Sequence, residues 1–192
     1  MSWFKQKIIK FWLDTFDLFA FLVLVFWIIL FIRFFIGTPY TVVGVSMMPT
    51  FESNDRIIVE KLSQRFWSLK RGEIIVFVPP GKEIPYIKRI IGLPGEIVKF
   101  VDNQTYICNA ETPESDIQAE NGYFCSKLAE EYLYPEAQTR PQGEKTEFEV
   151  RNGYFVMGDN RPVSNDSRQL GTIAKERFIG KAFVRLYPFN SI

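Results

Sequence analysis

Histidine is absent from all 192 residues. That excludes any serine or cysteine hydrolase that hands its proton to an imidazole, and any zinc site with a histidine ligand. A bias of charge is lacking too: 23 basic and 22 acidic side chains leave a net charge of +1. No basic stripe runs along the chain, so nucleic acid is not an expected partner. Cysteine is scarce, with only Cys108 and Cys125, whose spacing matches no histidine-bearing zinc motif; no metal and no cofactor is expected. Past Pro39 there is no helix-length amphipathic pattern, no internal repeat and no low-complexity tract.

What is present begins with an apolar run. Leu18 to Ile32 carries no charge. Arg33 lies near the end, where a long side chain reaches the membrane interface, and Phe34-Phe35-Ile36 follow. Residues 18–36 make roughly 28 Å of helix at about 1.5 Å per residue, enough to cross a hydrocarbon core with little tilt. Gly37-Thr38-Pro39 ends it. The run is too long for a cleaved signal peptide and no small-x-small site follows. The reading is a transmembrane helix over 18–36, a cytoplasmic segment over 1–17 and an extracytoplasmic domain over 37–192, with the lipid bilayer as a partner. Lys5, Lys7 and Lys10 precede the run, whereas no charge follows Arg33 until Glu52, which orients the N-terminus inward. On the far side an oxidising compartment allows Cys108 and Cys125 to pair; two buried free thiols are the alternative.

The rest reads as antiparallel β-structure. Runs rich in Val, Ile, Phe and Tyr recur at Arg56–Glu60, Glu73–Val78, Tyr86–Ile91, Glu96–Val101, Gln104–Cys108, Tyr154–Met157 and Phe178–Leu186, split by Gly, Pro, Asn or Asp. Asn109–Lys145 differs: it is polar, acidic in places and weakly periodic. It reads as an inserted subdomain held by the cysteines. Val42-Val43-Gly44-Val45 is a strand-like approach to Ser46.

Three segments carry chemistry. The first is Gly44-Val45-Ser46-Met47-Met48-Pro49-Thr50, where Ser46 is either a nucleophile or a turn hydroxyl. The second is Tyr86-Ile87-Lys88-Arg89-Ile90-Ile91. On a strand, Lys88 shares a face with Tyr86 and Ile90 and points away from Arg89. Desolvation there lowers the amine from about 10.4 towards the range of a general base. A surface lysine on an edge strand is the plainer alternative. The third is Gly158-Asp159-Asn160-Arg161-Pro162-Val163-Ser164-Asn165-Asp166-Ser167-Arg168, a loop dense in donors and acceptors, which turn chemistry explains only in part.

Together these segments, with the apolar run and Arg71-Gly72-Glu73-Ile74-Ile75-Val76-Phe77, resemble in order the type I signal peptidase (leader peptidase) family of bacteria. The resemblance covers nearly the whole chain. It implies an all-β catalytic domain of coiled antiparallel sheets with a small inserted β subdomain, of which 109–145 is part, behind a membrane anchor in the bacterial plasma membrane. It implies Ser46 as nucleophile, Lys88 as general base and Ser164 as the hydroxyl that orients the amine. Asp166 and Arg168 match an ion pair bracing the loop, and Arg89 and Asp159 match structural positions. Gly44 stands where some members carry a serine in the oxyanion hole, which leaves the hole mainly to the Ser46 amide. Pro162-Val163 departs from the polar pair common there. The implied partners are signal peptides of exported preproteins, cleaved after small residues at −1 and −3. These bind as an added strand near Tyr40–Val45 or Val78–Tyr86, with Val42, Val43, Met47, Tyr86 and Ile87 as contacts.

Two other readings exist. A self-cleaving repressor-type Ser–Lys protease shares the chemistry but needs a DNA-binding segment. A non-catalytic, membrane-anchored β-domain that binds exported proteins would be indifferent to loss of Ser46 or Lys88.

Overall fold

The computed structural model describes residues 2–31, 37–62, 68–109, 117–118, 124–187 and 190–191. The chain divides into two units, Met1–Thr38 and Pro39–Ile192.

The first unit is dominated by one helix, α1 (Ser2–Phe31). No Gly or Pro interrupts it. It begins well before the expected boundary at residue 18, so the lysine-bearing N-terminal stretch is helical. Among the described residues no helix is long and apolar enough to cross a membrane. The expected span over 18–36 is thus not met there: Asp17 bounds the charge-free part on one side, and Leu18–Phe31 gives only about 21 Å of helix against a core of about 30 Å. The remainder of that expectation, residues 32–36, lies outside the described residues.

The second unit is built on β-strands. They are β1 (Thr38–Thr41), β2 (Arg56–Glu60), β3 (Ile74–Phe77), β4 (Tyr86–Gly92), β5 (Ile97–Val101), β6 (Gln104–Asn109), β7 (Ile117–Gln118), β8 (Phe124–Lys127), β9 (Glu147–Glu149), β10 (Phe155–Met157), β11 (Phe178–Tyr187) and β12 (Asn190–Ser191). One sheet runs β1-β2-β11-β3-β4-β10 with β12 beside β11; the other runs β7-β8-β6-β5-β9. The pairs β2·β11, β11·β3, β3·β4 and β4·β10 are antiparallel, as are β9·β5, β5·β6, β6·β8 and β7·β8. Register breaks along β11 between Phe178 and Gly180 and between Ala182 and Val184 bend the first sheet, as bulges do. Gly180 is needed at this bend: a Cβ there would run into the Glu60 carbonyl.

Strand β3 is buried on both faces, which is why it reads Ile-Ile-Val-Phe without alternation. Ile74 and Val76 join one core with Val42, Met47, Phe51, Ile57, Val59 and Ala182. Ile75 and Phe77 join another with Ile90, Tyr154, Val156 and Phe178. Ile91, Phe155 and Met157 reach a third core shared with the second sheet, including Val98, Phe100, Ile107 and Phe148.

One expectation needs correction. Val42–Val45 is not a strand, because Gly44 sits at φ +96° and Val42 is tied instead to Asp55 and Asn54 by backbone hydrogen bonds of 2.8 and 2.9 Å. The second sheet draws on more than 109–145: β5, β9 and all of β6 but Asn109 lie outside that range, and the alternating runs around Val98 and Phe148 cover the third core.

Cys108 and Cys125 face each other across β6 and β8 and are joined in a disulfide with Cα atoms 3.9 Å apart. The bridge closes a loop with a sequence separation of 17, worth roughly 3 kcal/mol through the unfolded chain. Replacing both cysteines by serine is expected to cost about that much in urea unfolding. Equal unfolding midpoints for the two proteins would show that the bridge adds nothing.

Candidate active site

Ser46 lies in the turn that follows β1. Buried Met47 and Phe51 anchor that turn in the core, Phe51 N–H donates to Met47 O, and Met48 N–H donates to Val45 O. Gly44 has open space around its missing Cβ. Its requirement for glycine is therefore conformational, since φ +96° strains any L side chain.

Lys88 sits in β4, opposite Ile75 of β3. On the other side, pairing with β10 stops at Arg89, so among the described residues no strand pairs with the edge from Tyr86 to Lys88. The Lys88 side chain is enclosed, only 3% exposed, with its amine 5.6 Å from the centre of the Tyr86 ring. Lys88 Nζ is 2.6 Å from Ser46 Oγ and 2.9 Å from Ile87 O. As an ammonium it donates to the serine oxygen. As a neutral amine it accepts the serine proton along the same line. Burial lowers the Lys88 pKa to about 8; Asp166 and Asp159 pull it back up, and Arg168 pushes it down.

The loop after β10 holds these two side chains in place. Gly158 is packed so closely that a Cβ would collide with Ser46 O and the Ser164 side chain. Asn160 N–H donates to Ser46 O at 3.0 Å, and Asn160 Nδ2 donates to Val45 O at 3.1 Å. Asp166 accepts from Gly158 N–H at 3.1 Å and forms a two-pronged pair with Arg168, Nε to Oδ1 and the terminal nitrogen to Oδ2, both at 2.9 Å. Arg89 grips Asp159 in the same fashion at 2.8 and 2.6 Å, and Thr50 Oγ1 donates to Asp159 at 2.5 Å.

Ser164 is buried in the same loop. Its hydroxyl accepts from Gly158 N–H at 3.1 Å, while the Lys88 amine is directed to Ser46 and Ile87 O. This bond uses one lone pair of the hydroxyl and leaves its proton and second lone pair for another partner.

A cleft of about 490 Å³ opens onto Ser46 and Lys88. Val42, Val43, Gly44, Tyr86 and Ile87 line it. Met47 does not; it is buried in the first core, because the turn rotates its side chain inward as an anchor. Ile84, Pro85, Val163 and Asn165 complete the wall; they fall within the segments Val78–Tyr86 and Gly158–Arg168 without an assigned contact, and the role of Asn160 is visible only once Val45 and Ser46 are beside it. Cys108 and Cys125 lie in the second sheet and not in the cleft wall. Among the described residues no group of three or more metal-ligating side chains converges.

The chain matches the family described as signal peptidase, peptidase S26, over residues 15–187. It is 38% identical over 171 residues to signal peptidase I of Bacillus licheniformis, covering 85% of this chain and 83% of that one. Against signal peptidase I T of Bacillus subtilis (strain 168) it is 36% identical over 174 residues, with 85% and 80% covered. Against signal peptidase IB of Staphylococcus aureus (strain N315) the identity is 31% over 160 residues, with 81% of each covered.

Enclosing Lys88 has a stability consequence with a definite sign. In the fold the amine titrates at about 8, and its ordinary value is 10.5. Below pH 8 both folded and unfolded chains hold the proton, and the fold carries the full penalty. Between these values the unfolded chain binds more protons, so stability rises with pH. Lys88→Met is therefore expected to be more stable than the wild type by on the order of 3 kcal/mol below pH 8, with the gap closing towards pH 10.5. Urea unfolding at pH 6, 8 and 10 measures this; a variant no more stable than the wild type at pH 6 would show that the buried amine carries no such cost.

Proposed function

The chain belongs to the signal peptidase family of S26 peptidases, serine endopeptidases that remove signal peptides, and on that premise we propose that Ser46 and Lys88 form its catalytic dyad. The observation that carries this reading is the 2.6 Å approach of Lys88 Nζ to Ser46 Oγ in an enclosure that brings the amine to about 8. With no histidine in the chain, this amine is the base within hydrogen-bond reach of the serine.

The mechanism follows from that contact. Neutral Lys88 takes the Ser46 hydroxyl proton as Oγ bonds to the scissile carbonyl carbon. The carbonyl oxygen becomes an oxyanion, held by the Ser46 N–H; one such donor is worth about 3 kcal/mol. As the intermediate collapses, the C–N bond breaks and the Lys88 ammonium returns its proton to the departing amine, the new N-terminus of the mature protein. A serine ester remains. Lys88 then takes a proton from water, the hydroxide adds to the ester carbon, and the C–O bond to Ser46 breaks with return of the proton to Oγ. The signal peptide leaves with a free carboxylate.

The substrate enters the cleft as an extended strand. The edge from Tyr86 to Lys88, with which no described strand but β3 pairs, and the Val42–Val45 segment both line the cleft, a setting for strand addition. Side chains alternate along such a strand, so the positions −1 and −3 face the wall together and only small residues fit. Val42, Val43, Tyr86 and Ile87 are the contacts assigned to this wall.

The reading includes a membrane anchor with the N-terminus in the cytoplasm and the catalytic domain outside, at the bacterial plasma membrane. Its support is an exposed, all-apolar surface on α1 from Leu18 to Phe31, the type of helix that lies in lipid or a large core, and the lysines that precede it.

Cleavage of a preprotein tests the dyad. Ser46→Ala and Lys88→Ala are each expected to lower kcat by on the order of 10⁴-fold or more, and the double variant by no more than either alone, since the two act as one unit. In the wild type the rate of acyl-enzyme formation should rise with pH and level off above about 8, as Lys88 loses its proton; an imidazole base would give a limb near 6.5. Full cleavage by Ser46→Ala would overturn the dyad, and no cleavage by the wild type would instead favour a binding domain without catalysis.

A further inference from the structure

We infer that Glu130 and Tyr132, in the polar segment that follows β8, are positioning residues for the Ser46 backbone. The inference rests on the dyad reading above.

The segment leaves β8 against the second sheet, with Leu128 N–H donating to Thr105 O at 2.9 Å and Leu128 and Tyr132 packed on the third core. Neither residue touches Ser46. Each grips an arginine that flanks the residues holding it. Glu130 forms a two-pronged ion pair with Arg161. The Arg161 side chain is 0% exposed and that of Glu130 is 9% exposed. A guanidinium so enclosed is costly unless paired, so Glu130 fixes where Arg161 lies. Thr105 and Thr139 fill other acceptor positions around it. From there Arg161 Nε donates to Gly158 O at 3.1 Å, and Gly158 is the residue against which Ser46 O is packed.

Tyr132 holds the second arginine. Its ring lies 3.9 Å from the Arg89 guanidinium carbon, a stacking contact that favours the planar cation. Arg89 in turn clasps Asp159, the residue before Asn160, whose N–H reaches Ser46 O. The Tyr132 hydroxyl donates to Glu130 Oε1 at 2.8 Å. Burial, with Glu130 beside it, pushes the phenol up, so it stays protonated and keeps donating. The two grips are thus one unit: Glu130 and Tyr132 share a hydrogen bond and hold Gly158 and Asp159 through separate arginines. A nucleophile displaced by about 1 Å loses on the order of 100-fold in rate, and the Ser46 carbonyl is located by these two neighbours.

A positioning role changes kcat and spares KM, because the cleft wall of Val42, Val43, Tyr86 and Ile87 is untouched. The experiment compares Glu130→Gln and Tyr132→Leu with Leu128→Ala, which loosens the same segment without meeting either arginine. Steady-state cleavage of a synthetic preprotein is measured at least 15 °C below each protein's unfolding midpoint, with Ser46→Ala alongside. Expected is a fall in kcat of roughly 10-fold to 100-fold for Glu130→Gln and Tyr132→Leu, with KM within about twofold of the wild type and Leu128→Ala at wild-type kcat. If the three variants share one kcat, the segment is merely structural and the inference is wrong. Should Glu130→Gln fail to fold, Tyr132→Phe carries the test: it keeps the ring over Arg89 and removes only the bond to Glu130, so a kcat drop of about threefold or more supports the inference and none overturns it. An inactive Ser46→Ala beside normal Glu130 and Tyr132 variants sinks this inference alone, whereas an active Ser46→Ala removes the dyad and this inference together.

Discussion

Everything around the cleft depends on keeping one lysine amine out of water. An exposed lysine near neutral pH is an ammonium with no lone pair to offer, and desolvation is the largest cause that brings Lys88 to about 8. The surroundings then face a conflict. Backbone polar groups near the cleft need partners, and the loop after β10 supplies two carboxylates, Asp159 and Asp166, both of which favour the ammonium. Each is paired with its own arginine, Arg89 and Arg168. A carboxylate already satisfied by a guanidinium exerts a weaker net pull on the amine than a bare one. The paired charges thus let the loop be polar and rigid without undoing the effect of burial.

That arrangement also explains the doubly buried strands. A lysine on the face of an ordinary half-exposed sheet snorkels to solvent. Here β3 and β4 are covered on both faces by the first and second cores, and the Lys88 stem has one short way out, towards Ser46. The turn carrying Ser46 is pinned from beneath by Met47 and Phe51 and from the side by Gly158 and Asn160. Positions that look dispensable in the chain, such as a glycine before an Asp-Asn pair, become contact points in space.

The polar stretch 109–145 changes meaning in the fold. Read along the chain it is an excursion with few apolar periodicities. In space its later part, Glu130 to Thr139, surrounds Arg161 with a carboxylate, a phenol and a hydroxyl. The weak periodicity has a physical cause: these residues serve as partners for a buried cation, and such partners follow the position of the guanidinium and not the pleat of a strand.

What was legible in the sequence is what local chemistry dictates. Strand runs at Arg56–Glu60, Tyr86–Ile91 and Glu96–Val101 stand within a residue of the observed strands, because β-branched and aromatic residues between turn signals have few other low-energy options. The missing histidine narrowed the chemistry before any coordinate was known, since it removes a functional group outright. Ser46 and Lys88 were recognisable by their motifs, although only the fold brings residues 42 apart to 2.6 Å. Several things were decided by tertiary structure alone: Met47 turned into the core, the Ser164 hydroxyl accepts from Gly158, Asn160 meets the turn, and Glu130 and Tyr132 meet Arg161 and Arg89. None of these follows from spacing, because each depends on which buried donor or acceptor comes within reach across more than one element. The sequence by itself determined the strands and the available reactive groups; the packing of distant segments decided which polar atoms face one another, because an enclosed charge takes the partner that the completed core places beside it.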